Sequence, residues 1–257
     1  MTRTQLIISY RGTRYVGWQR QQNGLAIQQV VEEAIDQMVG ETVKVVAAGR
    51  TDAGVHALGQ SVHLDSEQQI PVKGWVHGTN RFLPEDIRVL AAHPRQSDFH
   101  ARFGALEKEY QYRVSTRAVV SALENWRSVQ VPSNTNFETM NKASQFLIGR
   151  HDFSAFALAG GSHHDPHRRI RTAGWRLDER QAVFSIIGEG FLRGMVRSIV
   201  GTLLEVGRGD RDPDSFRVLL QGRPRDEAGA TAPAKGLVLQ RVVYSDSTRE
   251  NSNPGGG

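Results

Sequence analysis

Hydrophobic positions along the 257 residues switch between two periods, and the switches mark out strands and helices. Gln5 to Tyr10 alternates as a strand. Ile27, Val30, Val31, Ala34, Ile35 and Met38 recur at steps of three and four, the stripe of a helix that Gly40 ends. Val43 to Val46 reads as a short apolar strand, and Val62 and Leu64 alternate with His63 and Asp65 in another. Gly74 to Phe82 predicts a short helix stopped before Pro84, and Ile87 to Ala92 a strand. The order is β-α-β-β-α-β.

The second half repeats that order without repeating the residues. Lys108 to Ser115 predicts a strand with Lys108, Tyr110, Tyr112 and Val114 on one face. Phe137, Met140, Ala143 and Leu147 mark a helix closed by Gly149, and strands follow over Thr172 to Leu177 and Ala182 to Ile187. The clearest helical stripe runs from Leu192 through Met195, Val196, Ile199, Val200, Leu203 and Leu204, and carries Arg193 and Arg197 four apart on one flank. Asp212-Pro213 supplies a cap and first turn for a helix ending near Gly222. Gly222 to Lys235 reads as a surface loop, and Leu237 to Val243 as a closing strand. The expected fold is therefore α+β, with two ferredoxin-like halves at residues 1–103 and 104–245. A polar stretch at 246–257, ending Pro-Gly-Gly-Gly, predicts a disordered tail.

Composition sharpens this picture in three ways. No run approaches the roughly 18 apolar residues of a membrane span, and Met1 to Gln5 leads into a strand without the features of a signal peptide. Zero cysteines exclude disulfides and thiolate metal sites and agree with a cytoplasmic protein. The net charge is +5, and only Lys44, Lys73, Lys108, Lys142 and Lys235 among the 32 basic residues are lysines. Arginine's planar fork suits phosphates and stacks on bases, so the balance is compatible with nucleic acid, as it is with codon bias.

Candidate chemistry concentrates in Ala47-Ala48-Gly49-Arg50-Thr51-Asp52-Ala53-Gly54-Val55-His56, where glycines leave a strand around a charged pair. Asp52 reads either as the side chain closing a turn or as an ionised carboxylate able to act as a nucleophile. A closed pocket around it would call for an arginine partner, and Arg193 or Arg197 qualifies. Tyr110 and Tyr112 read either as core or as a wall on which a nucleobase stacks. Arginines and aromatics interleave from Arg11 to Arg20, as in a single-stranded RNA groove. The cluster His163-His164-Asp165-Pro166-His167 invites a metal, but Arg168, Arg169 and Arg171 follow it and favour an anion. No phosphate-binding loop, dinucleotide fingerprint or nucleophile elbow occurs.

Residues 48–56 resemble the signature of the TruA family of tRNA pseudouridine synthases. The similarity extends to Gly17-Trp18-Gln19-Arg20, Phe99-His100-Ala101-Arg102-Phe103, Tyr110-Gln111-Tyr112, His151 to Phe156 and Phe191 to Arg197, covering Gln5 to Tyr244. The resemblance implies a pseudouridine synthase fold, with a central antiparallel sheet and an active-site cleft between the halves. It implies an isomerase that converts uridine to pseudouridine at positions 38 to 40 of the tRNA anticodon arm, working as a homodimer without metal or organic cofactor. It makes Asp52 the nucleophile or base, Tyr110 the ring stacking on uracil, Arg197 the partner of Asp52, and Arg50 a residue filling the space of the flipped nucleotide. Two departures stand out: the family often has His where Gly194 stands, and the helix from Ala26 lacks the usual Ser or Thr cap. The alternative class is an RNA-binding module without chemistry.

Overall fold

A computed structural model of the chain describes residues 1–161 and 165–245. Its first half runs β1 (Thr2–Tyr10), α1 (Ile27–Val39), β2 (Val46–Ala47), β3 (His56–Ser66), α2 (Val72–Phe82) and β4 (Ile87–Arg95). The second runs β5 (Ala105–Ser115), α3 (Ala122–Asn125), β6 (Val129–Gln130), α4 (Phe137–Ser144), β7 (Gly149–Asp152), β8 (His167–Asp178), β9 (Gln181–Gly188), α5 (Met195–Arg208), α6 (Pro213–Val218) and β10 (Leu237–Tyr244). All ten strands join one sheet in the order β4-β1-β3-β10-β5-β9-β8-β7, with β2 on β3 and β6 on β5. The chain is thus α+β around a large central sheet.

Within each half, the first and third of the four main strands lie side by side. In the first half the order is β4-β1-β3-β2, and in the second β10-β5-β9-β8. The two sets meet where β10 lies between β3 and β5. The expected central antiparallel sheet is mixed at two places: β10 runs parallel to β3, with Val238 opposite His56, and β6 runs parallel to β5. The other pairings are antiparallel.

Helix α1 buries Ile27, Val31, Ala34 and Ile35 and stops at Gly40, whose left-handed backbone sends its N–H to Asp36 O. Ala26 offers no side-chain cap; instead the first amides of the helix, Ile27 N and Gln28 N, donate to the carbonyls of Gly17 and Trp18. The 43–46 segment is less of a strand than its alternation implies. Val43 and Val45 are buried, but their amides donate to Asp36 Oδ1 and Glu32 Oε1 of α1, so only Val46 and Ala47 pair with β3.

Strand β3 is longer than predicted and polar at its centre. Gln60, Ser61, His63 and Ser66 are all buried, and each makes at least one hydrogen bond: Gln60 Nε2 donates to Gly49 O, Gln5 donates to Ser61, Ala101 N donates to His63 Nδ1, and Ser66 donates to Glu41. Such pairing offsets much of the penalty of burying them, although Gln60 Oε1 finds no partner among the described residues.

Two expectations in the second half are corrected. Helix α5 begins at Met195, because Gly194 takes φ +69° and caps it; Arg193 therefore lies in the preceding turn and not on the helix. The 222–235 segment is not a free surface loop. Ala228 and Ala232 are buried, Gly229 N donates to Thr202 Oγ1, and Ala232 N donates to Arg197 O, so the segment lies along α5. The predicted tail, like His163 and His164, lies outside the described residues.

Candidate active site

Asp52 sits in the loop between β2 and β3, and several independent contacts set that loop. Trp18 N donates to Thr51 O at 3.1 Å, Thr51 Oγ1 and the Tyr10 hydroxyl lie 2.8 Å apart, and Val55 N donates to Asp52 O at 3.1 Å. Gly17, at φ +105°, allows the approach: a Cβ there would stand 2.7 Å from Thr51 O. The carbonyls of Gly17 and Trp18 also start α1, so one short segment ties the Asp52 loop to the first helix. His56 closes the other end. Its Nδ1 accepts from Gly12 N at 2.9 Å, which leaves Nε2 to donate to Trp126 O at 3.1 Å.

Arg197 comes from the first turn of α5 and reaches across to this loop. Its Nη1 lies 3.1 Å from Asp52 Oδ2, while Nε donates to Ala232 O at 2.8 Å. The two side chains are 18% and 23% exposed, so the pair is sheltered from bulk screening yet open to a ligand. A guanidinium held at two points fixes the orientation of the carboxylate it contacts. Of the two arginine candidates the structure pairs Arg197 with Asp52; Arg193 instead donates to Ala159 O.

Tyr110, on β5, is buried and packs edge-on against Phe191, with ring centroids 5.0 Å apart. Burial, then the nearby Tyr10 and the charge of Asp52, pushes its phenol above the ordinary range. Tyr110 is therefore both a core residue and a neighbour of the carboxylate. Tyr112 faces the same side but donates to Pro233 O, a structural role. Arg50 is exposed, and its guanidinium makes no hydrogen bond or ion pair with the described residues. Thus Asp52 and Arg197 meet directly, the Tyr110 phenol responds to the charge of Asp52, and Arg50 stands apart.

Thr51, Gly17, His56 and Ala232 support the site, yet sequence reasoning gave them no role. The signal in the sequence is the glycine between Val16 and Trp18, whose positive φ in the structure permits the close backbone approach. Around the histidine loop, His167 Nδ1 lies 2.8 Å from Asp165 Oδ1, and Arg150 lies 3.9 Å from the same carboxylate. No group of three metal-ligating side chains gathers among the described residues.

A family model described as tRNA pseudouridine synthase matches residues 6–104 and 143–245. Curated proteins named tRNA pseudouridine synthase A are similar along nearly the whole chain. That of Syntrophotalea carbinolica is 44% identical over 95% of this chain and 97% of its own length. That of Myxococcus xanthus is 42% identical over 100% and 97%, and that of Acetivibrio thermocellus 41% over 95% and 100%. A central mixed sheet with an arginine-held carboxylate between its two halves suits an RNA-modifying isomerase, and the chain belongs to the tRNA pseudouridine synthase family. Within that family it is an isomerase of the TruA type, converting uridine to pseudouridine in tRNA.

Proposed function

We propose that the enzyme modifies uridines 38 to 40 in the anticodon arm, with Asp52 as the group that acts on the sugar. The observation that carries this reading is the Asp52–Arg197 contact at 3.1 Å, which joins a loop of the first half to a helix of the second. The reaction breaks the bond from C1′ to N1, turns the uracil, and joins C1′ to C5; N1 gains a proton and C5 gives one up. Asp52 either attacks C1′ as an anion or removes the C2′ proton. Arg197 keeps it aimed. The target base leaves its stack at a cost of a few kcal/mol and regains part of it on the Tyr110 ring. Arg50, exposed two residues from Asp52, occupies the space the flipped nucleotide vacates.

In this reading the halves 1–103 and 104–245 are two ferredoxin-like units, an interpretation supported by their matching strand orders, and the site is the cleft between them. The enzyme acts in the cytoplasm as a homodimer, on tRNA, without metal or organic cofactor; sedimentation and activity in chelator test these points. Among the described residues no helix is long and apolar enough to cross a membrane. The central test is tritium release from tRNA labelled at uridine C5. Wild type should release it, and Asp52→Ala should bind tRNA with no turnover. An Asp52→Ala variant that retained turnover would sink the assignment.

A further inference from the structure

Lys108 is a half-buried cation to which the mechanism assigns no task. It lies on β5 two residues before Tyr110 and on the same face, opposite Gly188 of β9 and Val242 of β10. Its side chain runs along the Asp52 loop: a Cβ on Gly49 would stand 3.4 Å from Lys108 Cε and 4.0 Å from Nζ. The ammonium makes no hydrogen bond or ion pair with the described residues. Sequence neighbours supply two carboxylates, but strand alternation turns them to the opposite face, where each is taken. Glu107 pairs with Arg171 at 2.6 Å and Glu109 with Arg241 at 2.7 Å.

Burial, then Arg102 and Arg168, pushes the Lys108 ammonium below the ordinary lysine range. Arg168 is fixed by donating to the carbonyls of Asp165 and His167, and its side chain lies over Gly190, where a Cβ would stand 3.6 Å from Cδ and Nε. Arg168 thus lies over a residue two positions from Gly188, the strand partner of Lys108, and among the described residues no carboxylate pairs with Lys108 to offset the cost of its partial burial. A polyanionic substrate offers the missing charge.

We propose that Lys108, with Arg168 nearby, binds one backbone phosphate of the RNA next to the target uridine, and so sets the depth at which that nucleotide enters the cleft. The inference rests on the reading of Asp52 as the reacting carboxylate, which places the substrate at this loop.

The test is the affinity of full-length tRNA for the intact enzyme as a function of KCl concentration, with kcat and KM for tritium release alongside. Lys108→Met should weaken binding about tenfold or more, as for loss of a charge-assisted hydrogen bond. It should flatten the plot of log affinity against log salt by about 0.7 to 0.9, the contribution of one phosphate. KM should rise more than kcat falls, and Lys108→Arg should restore most of the slope. An anticodon stem-loop RNA carrying a single neutral methylphosphonate at the contacted position should bind wild type and Lys108→Met alike. Lys108→Gln repeats the test if the Met variant misfolds by thermal melting. Unchanged affinity and slope would overturn the proposal. So would a loss of kcat at unchanged affinity, which would put the ammonium on the uracil or sugar instead. Absence of tritium release by wild type would sink the Asp52 reading, whereas the salt slope reports the phosphate contact whether or not turnover occurs.

Discussion

Arg197 illustrates how much one side chain's chemistry depends on its shape. Its Nη1 serves Asp52 while Nε is anchored on Ala232 O, a two-point hold that a lysine's single ammonium lacks. Arg197→Lys should therefore keep the charge but lower kcat/KM on the order of 10²-fold, the scale for losing one positioned donor; steady-state tritium release measures it, with melting temperature as the control for folding. His63 carries a different consequence. Burial, then the charges of His100 and Arg3, pushes its imidazole down to about 4. Unfolded, it protonates near its ordinary value of about 6.5. Between those values the unfolded chain binds more protons, so stability rises with pH and is lost as pH falls from about 6.5 toward 4. Urea unfolding across that range should show the slope, and His63→Gln should flatten it even though that variant is less stable overall.

At the scale of elements, glycines decide where helices start and how closely they pack. Gly194 ends the turn that carries Arg193 and begins α5, and that one backbone conformation separates the two arginines that a simple helical stripe joins. Gly201 is stricter: a Cβ there would lie 1.7 Å from Ala230 O, so the 222–235 segment packs on α5 only because the side chain is absent. Gly201→Ala should push that segment off the helix, disturb Ala232 O and with it Arg197, and cost about 1 to 3 kcal/mol of stability as an overpacked core does. Chemical denaturation and kcat together check it; unchanged values of both would contradict the packing account. Hydrophobic period located α1, α5 and the buried face of β5, because burial there falls on apolar residues. It missed the length of β3, whose buried Gln60, Ser61 and His63 read as surface until their partners on other elements are known.

For the molecule as a whole, the junction of β3 and β10 is the decisive contact. It is the seam at which the strand orders of the two halves meet, and it holds the Asp52 loop within reach of α5. Gly59 lies on it, where a Cβ would stand 2.5 Å from Gln240 O. Gly59→Val should pry the seam apart, lower the melting temperature, and reduce kcat more than a comparable destabilisation elsewhere, read by melting and tritium release against Gly201→Ala. The sequence by itself determined the main alternation of strands and helices, the caps at Gly40 and Asp212-Pro213, and the family. These are local matters: period, backbone preference and a contiguous signature all lie within a few residues of one another. Only the tertiary structure decided that Arg197 and not Arg193 or Arg50 meets Asp52, that the 222–235 segment is packed, and that the halves join through a parallel pair. Each of those depends on groups far apart in the chain, Asp52 and Arg197 being 145 residues apart, and no local pattern encodes which of several arginines a folded sheet will carry to one carboxylate.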